Sequence, residues 1–378
     1  MPVPMLLLSR FQRRLAGAWA GLALGLGLGL SPVPVHASEP LRLNVIGGLG
    51  GVTQFTRFEE PFWRQEIADI TGGRVTATVH PFDRSGFPGS DMLDLMRSGV
   101  IGFGTAILAL AGGDDPELNG MDQPGLNPDF RTLRLTTSLY RPHLQNILRD
   151  RYNVELLGIY TYPQQVLFCA RPFLSLQNVK GMRIRTSSVS QSEFVTALGG
   201  IPVKMAFAEM VGALRKGVVD CAITGTLSGN EIGLIDVTSH IHPIAISSGL
   251  SVFGVNRDYW ASIPPDLQTE IRKAVATLEA RIWDAAERET ANGLACSIGA
   301  ETCQGARKGN MTLVAVTPDH ELAIRQMFFT EVFPGWLQRC GEPCREAWNR
   351  YVGPTLGMIA DQNKPILLQK INENAKQP

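Results

Sequence analysis

The sequence predicts an α/β protein in two lobes, and three observations carry that prediction. Strand-like and helix-like periodicities alternate along the chain, the pattern of sheets covered by helices. The alternation runs twice, with a change near Thr161-Tyr162-Pro163. The length of 378 residues exceeds what a single core organises well, so two domains are expected.

The first segment reads as a leader. Arg10, Arg13 and Arg14 precede an apolar run from Leu15 to Leu30 that ends near Val35-His36-Ala37, the layout of a secretory signal peptide with a small-residue cleavage site. Gly25, Gly27, Gly29 and the Pro32/Pro34 break favour cleavage over retention as an anchor, and no cysteine near the junction offers a lipid site. Removing residues 1–37 from 378 leaves 341, and no later run approaches the ~20 apolar residues of a membrane helix.

Leu41 to Ile46 alternates as a first strand and breaks at Gly47-Gly48-Leu49-Gly50-Gly51, after which Gln54 to Thr71 reads as a helix. Arg74 to Val79 gives a second strand, Ser90 to Ser98 a helix, and Val100 to Leu110 an apolar strand with its loop. This βαβα order predicts a mainly parallel sheet. The second stretch places strands at 154–160, 166–170, 182–186, 203–205 and 218–223, with helices at 190–198 and 208–216. Pro264-Pro265-Asp266 opens the clearest helix: Leu267, Ile271, Val275, Leu278, Ile282 and Ala286 recur at helical spacing, and Asp266 suits its first turn. Continued to about Leu294 at ~1.5 Å per residue, it is long enough to cross two lobes. Pro318-Asp319 starts another helix, carrying Phe328, Phe329, Phe333 and Trp336.

Composition narrows the function classes. The chain has 35 basic and 35 acidic residues. Three of the arginines belong to the leader, so the remainder is slightly acidic and a poor nucleic-acid binder. An exported chain meets oxidising conditions, so its six cysteines are disulfide candidates. Cys296, Cys303, Cys340 and Cys344 are expected to form two bonds. Cys169 and Cys221 lie in apolar strand-like runs, where a buried inert thiol is at least as good a reading as a bond.

Motifs for catalysis or cofactors are weak. Gly48-Leu49-Gly50-Gly51-Val52-Thr53 carries Thr53 where a dinucleotide loop has its third glycine, and no acidic strand end follows at the usual distance. His240-Ile241-His242 puts two imidazoles on one strand face without a carboxylate or thiolate cluster, so packed or surface histidines are expected. His320-Glu321 lacks the second histidine of a zinc-protease helix, and Glu59-Glu60 reads as a solvated pair. No G-x-S-x-G elbow occurs. No catalytic residue, metal or cofactor is assigned.

What remains is a set of polar residues at predicted strand ends, where ligands of open α/β sheets sit. In Asn178 to Ser190, NVKGMRIRTSSVS, Met182 and Ile184 alternate with Arg183 and Arg185, and the strand runs into Thr186, Ser187 and Ser188. A guanidinium fork beside hydroxyls suits a carboxylate. Thr224 and Thr226 follow a second strand, and Gln165 precedes a third.

The segment Asn178 to Asp220 resembles the signature region of the solute-binding proteins of tripartite ATP-independent periplasmic (TRAP) transporters, the dicarboxylate and sialic acid binders. Lys180-Gly181-Met182-Arg183-Ile184-Arg185 matches that family's K-G-x-K-x-R. Ala197-Leu198-Gly199-Gly200-Ile201-Pro202, Met205, Glu209, Ala213-Leu214, Gly217 and Val219-Asp220 follow its next motif. Thr71 to Val75, Ser98-Gly99-Val100 and the helix after Pro265 extend the likeness to essentially the whole mature chain.

The resemblance implies a two-lobed periplasmic binding protein, type II-like, with mixed sheets flanked by helices and one long helix spanning both lobes. Lobe I would comprise residues 38–162 plus 250–290, and lobe II 163–249 plus 291–378. Arg185 matches the arginine that clamps the ligand carboxylate, and Arg183 a solvated position. Gln165 stands where sialic acid binders carry a second arginine. Ile223 replaces a glutamate that helps hold a cation in one branch of the family, and Thr224 replaces a ligand-bonding asparagine.

The expected function is capture of a small organic carboxylate, a monocarboxylate with an apolar or aromatic body, and its delivery to TRAP membrane permease subunits from the periplasm. Arg185, Gln165, Thr224 and Ser187 would hold the acid, with Phe207, Tyr162 and backbone near Gly50 lining the rest. Nothing demands more than a monomer. A periplasmic ligand sensor and an exported enzyme on the same scaffold are the alternatives.

Overall fold

The computed structural model describes residues 39–361; the leader expected at 1–37 and the last residues of the chain lie outside them. Among the described residues eleven strands form two sheets. The first sheet has the order β2-β1-β3-β10-β4, from β1 (Leu41–Gly47), β2 (Val75–Pro81), β3 (Phe103–Ile107), β4 (Val154–Thr161) and β10 (Leu250–Asn256). The second has the order β11-β9-β5-β8-β6-β7, from β5 (Gln165–Cys169), β6 (Arg183–Thr186), β7 (Ile201–Lys204), β8 (Cys221–Gly225), β9 (His240–Ser247) and β11 (Thr312–Leu313).

Both sheets are mixed, where βαβα alternation alone predicts mainly parallel pairing. Strand β10 runs antiparallel between β3 and β4, and β5 antiparallel between β8 and β9. The cause is that β4 leads directly into β5 and β9 directly into β10, so the chain changes sheets at 162–164 and again at 248–249. The two crossings touch: Tyr162 N–H donates to Gly249 O at 3.2 Å. Asp122 pins the second crossing, accepting from Ser248 N at 3.0 Å and Gly249 N at 2.6 Å. Burial pushes its carboxyl up to about 6.

The long helix spans Pro265–Ser297, three residues beyond the expected end. Its apolar face packs Ile271, Val275, Leu278 and Ile282 under the first sheet. Farther along it meets the helix Thr226–Glu231 that follows β8; a Cβ on Gly293 would lie 2.2 Å from Leu227 N, so only glycine permits that approach.

Residues 111–153 receive no element from sequence reading, yet hold a 23-residue helix, Phe130–Tyr152. Five arginines and Pro142 blur its periodicity. Asp129 caps it by accepting from Thr132 N at 2.7 Å, and Asn153 ends it at φ 49°. The helices after Pro318, expected with the second lobe, contact both sides. Trp336 Nε1 donates to Pro116 O at 2.7 Å, while Arg339 pairs with Glu193.

All three disulfides form: the four C-terminal cysteines make the two bonds expected of them, paired as Cys296–Cys303 and Cys340–Cys344, and Cys169 bonds Cys221 as well. The last joins directly opposed residues of β5 and β8. Antiparallel pairing is what brings those two thiols together, and neither local run encodes it.

Glu59 is the clearest departure. It is fully buried rather than solvated, accepting from Gly48 N at 3.0 Å, Gln54 Nε2 at 2.8 Å and Thr105 Oγ1 at 3.0 Å. Burial raises its carboxyl to about 6 against those hydrogen bonds. Glu60 does face solvent and pairs with Arg64 at 2.9 Å.

Candidate ligand-binding site

A cavity of about 540 Å³ lies between the two sheets. The second sheet and its loops contribute most of its polar groups: Arg185 in β6 and Ser187 just after it, Lys204 at the end of β7, Thr224 near the end of β8, Gln165 at the start of β5, and Ser228. The first sheet and its loops contribute Leu49, Phe82, Phe87, Ile107 and Leu110. The parallel pairing of β6 and β8 sets Arg185 beside Ala222, two residues before Thr224. Antiparallel β5 then brings Gln165 to the same edge, opposite Gly225.

Arg185 is 3 % exposed. Its Nε and Nη2 donate to Met205 O at 3.2 and 3.1 Å, and its Nη1 donates to Ile223 O at 2.9 Å. Of the five N–H donors of a guanidinium, these contacts engage three, leaving one on each Nη. No carboxylate pairs with it among the described residues; Glu209 acts on it only from farther off. Burial lowers its pKa to about 10, so at neutral pH it remains a cation. A buried cation held only by carbonyl dipoles is an uncompensated charge. The two remaining N–H groups can serve an anionic group entering the cavity.

Arg183, on the same face of β6, has a different environment. Its Nε and Nη2 hold the two oxygens of Asp220 at 3.1 and 3.0 Å, and Arg171 reaches the same carboxylate at 3.2 Å. It is half-exposed, as expected, but tied into an ion pair rather than freely solvated. The Arg183 hydrogen bonds hold the Asp220 carboxyl below its ordinary value.

Of the residues singled out from sequence, Arg185, Gln165, Thr224, Ser187, Phe207 and Tyr162 all line the cavity. Gly50 does not: Leu49 takes that part of the wall. Gly50 turns toward the end of β2, where a Cβ would lie 2.7 Å from Pro81, and its N–H donates to Asp83 Oδ1 at 2.9 Å. The glycine loop thus serves close packing. At Gly48 a Cβ would fall 2.8 Å from the buried Glu59 carboxylate.

Sequence reasoning missed the apolar wall of Phe82, Phe87 and Leu110, and a buried residue behind the polar end, Gln191. A signal for Gln191 was present, because Ser188-x-x-Gln191 is a helix-start pattern. Ser188 does cap the helix Val189–Ala197, accepting from Gln191 N at 3.1 Å.

The histidines form a pair that spacing did not disclose. His242 is buried, with Nε2 3.2 Å from Nδ1 of His320. Burial, and secondarily His320, lowers His242 to about 4. No group of three or more metal-ligating side chains occurs among the described residues, and none of their helices is long and apolar enough to cross a membrane.

Comparison with known proteins accords with this architecture. Residues 53–328 match the family model of the bacterial extracellular solute-binding proteins, family 7. A C4-dicarboxylate-binding periplasmic protein of Rhodobacter capsulatus is 25% identical over 342 residues, covering 87% of this chain and 95% of that one. Among solved structures, a TRAP periplasmic solute binding protein from Rhodoferax ferrireducens with bound malonate superposes with a TM-score of 0.72 at 18% identity, covering 83% and 98% of the two chains. An extracytoplasmic solute receptor from Bordetella pertussis binding pyroglutamic acid gives a TM-score of 0.70 at 19% identity, covering 82% and 99%.

Proposed function

This chain belongs to the bacterial extracellular solute-binding proteins of family 7, and from that premise we propose that it captures a small organic monocarboxylate with an apolar or aromatic body. The observation that carries the reading is Arg185, a buried cation with two N–H groups unused by the protein, set in a cavity whose opposite wall is mainly apolar, with Asp83 and Ser90 its polar members. A carboxylate satisfies both N–H groups through a fork geometry. Phe82, Phe87, Ile107 and Leu110 then offer dispersion contacts to the body of the acid, the usual division of labour in a ligand pocket.

Each lobe contributes one wall, the first sheet with its loops that of lobe I and the second sheet with its loops that of lobe II. The crossings at 162–164 and 248–249 act as the hinge. Ligand contacts on both walls favour the closed form, so binding shifts a two-state equilibrium. In the periplasm, TRAP permease subunits would distinguish the closed surface from the open one and receive the acid. The protein acts as a monomer and leaves its ligand chemically unchanged.

A thermal-shift panel tests this reading. Pyroglutamate, benzoate, phenylacetate and 4-methyl-2-oxopentanoate represent monocarboxylates, with malonate and L-malate for comparison. An acid at 100 times its dissociation constant adds about 2.7 kcal/mol of stability. A monocarboxylate is expected to give the largest shift and to be recovered intact. A panel without any shift, or conversion of the acid to product, would overturn the proposal.

A further inference from the structure

We propose that Gln191, which lies outside the cavity, is a positioning residue that sets the polarity of the ligand site by fixing which end of the Gln165 amide faces the bound acid. The inference rests on the reading of the cleft as an acid-binding site.

A glutamine amide offers two donors on nitrogen and an acceptor on oxygen, and its neighbours decide which end points where. Gln191 is 3 % exposed. Its Oε1 accepts from Ser187 N at 2.9 Å and from Ser187 Oγ at 3.0 Å. With the oxygen so occupied, Nε2 is left to donate toward the crossing segments. It donates to Ser247 Oγ at 3.1 Å and to Gln165 Oε1. The Ser247 hydroxyl donates in turn to Gln165 Oε1 at 2.9 Å. Two donors therefore converge on the oxygen of Gln165, and its Nε2 is turned toward the cavity-wall residue Gly249, where a Cβ would lie 2.9 Å away. The result is an N–H donor in the cavity that Arg185 also lines, which favours an anionic or carbonyl oxygen there and disfavours an N–H group.

The helix-start pattern explains why sequence conceals this role. In an ordinary capping box the Gln191 side chain would return to the backbone N–H of Ser188. Here it accepts from Ser187 instead, which spends its oxygen on the loop after β6 and leaves its nitrogen for Gln165.

The test is a double-mutant cycle read by calorimetry, with the panel acid that binds wild type most tightly as probe. In Gln191→Glu the carboxylate still accepts from Ser187 but has no proton for Gln165 Oε1. The Gln165 amide reverses, its oxygen faces the ligand carboxylate, and affinity is expected to fall about tenfold or more. In Gln191→Met, which adds no charge, roughly a threefold to tenfold loss is expected. On a Gln165→Ala background both substitutions should have a much smaller effect. Thermal melts establish that each variant is folded, and Gln191→Met carries the test where Gln191→Glu does not fold. Equal fold-losses on both backgrounds, or unchanged affinity in both variants, would overturn the role of Gln191 while leaving the function standing. Failure of wild type to bind any acid overturns both.

Discussion

Replacing Arg185 with methionine is expected to separate binding from stability. The two unused N–H groups of the guanidinium are the ones available to a carboxylate, and charge-assisted hydrogen bonds contribute about 1.5–3 kcal/mol each. Losing both predicts about 3–6 kcal/mol, or roughly a 10²- to 10⁴-fold weaker complex. The unliganded protein should respond differently. Methionine removes a buried cation that no carboxylate offsets, a relief of several kcal/mol by order of magnitude. It also strips donors from Met205 O and Ile223 O, at about 1–3 kcal/mol for each buried carbonyl left unpaired. The terms oppose each other, so the unliganded melting temperature is expected to stay within a few degrees of wild type. Calorimetry with the best panel acid at pH 7.5, well below the Arg185 pKa of about 10, gives the affinity, and a thermal melt gives the stability. Arg185→Lys serves as an internal standard: one ammonium cannot reproduce the fork, and an intermediate loss of about 10- to 100-fold is expected. An Arg185→Met protein that binds within threefold of wild type would refute the assignment of Arg185 as the carboxylate clamp.

Three further predictions concern the scaffold. Replacing both Cys169 and Cys221 with alanine opens a bridge of sequence separation 52 and should lower unfolding stability by about 4 kcal/mol on chain-entropy grounds; an unchanged urea midpoint would contradict it. Asp122 has a folded pKa of about 6, above its ordinary 3.8, so the native state holds more protons between those values and the wild type gains stability as pH falls through that window. Its stability relative to Asp122→Asn should rise by up to about 3 kcal/mol from pH 7.5 to pH 4. Groups common to both proteins, such as His242 and Glu59, cancel in the difference, and a difference independent of pH would show that Asp122 is not held as described. Gly48→Ala should destabilise by about 1–3 kcal/mol, because the new methyl meets Glu59 Oε1 at 2.8 Å and Gln54 Nε2 at 3.2 Å; an unaltered melting temperature would mean the loop relaxes freely.

Local pattern alone determined much of this molecule. Alternation located the strands that carry the site, heptad-like spacing located the helix Pro265–Ser297, and the strand-end position of Arg185 marked it before any contact was known. These features are legible because strand and helix periods are set by backbone geometry within a few residues. Tertiary structure decided everything that depends on partners far away in the chain. Arg183 and Arg185 share one face of β6 and differ in sequence by two positions, about 6.6 Å along a strand. One meets Asp220, 37 residues on, and the other meets only carbonyls and a cavity. The same distance problem concealed the Cys169–Cys221 bond, the burial of Glu59 against Gly48 and Thr105, and the turning of Gly50 away from the cleft. Gln191 shows the limit most clearly: its helix-start pattern was readable, but which partners would spend its oxygen and its nitrogen was fixed only when the sheet crossings brought Gln165 and Ser247 to its side. Desolvation and hydrogen-bond saturation are properties of a filled volume, and a linear pattern does not contain them.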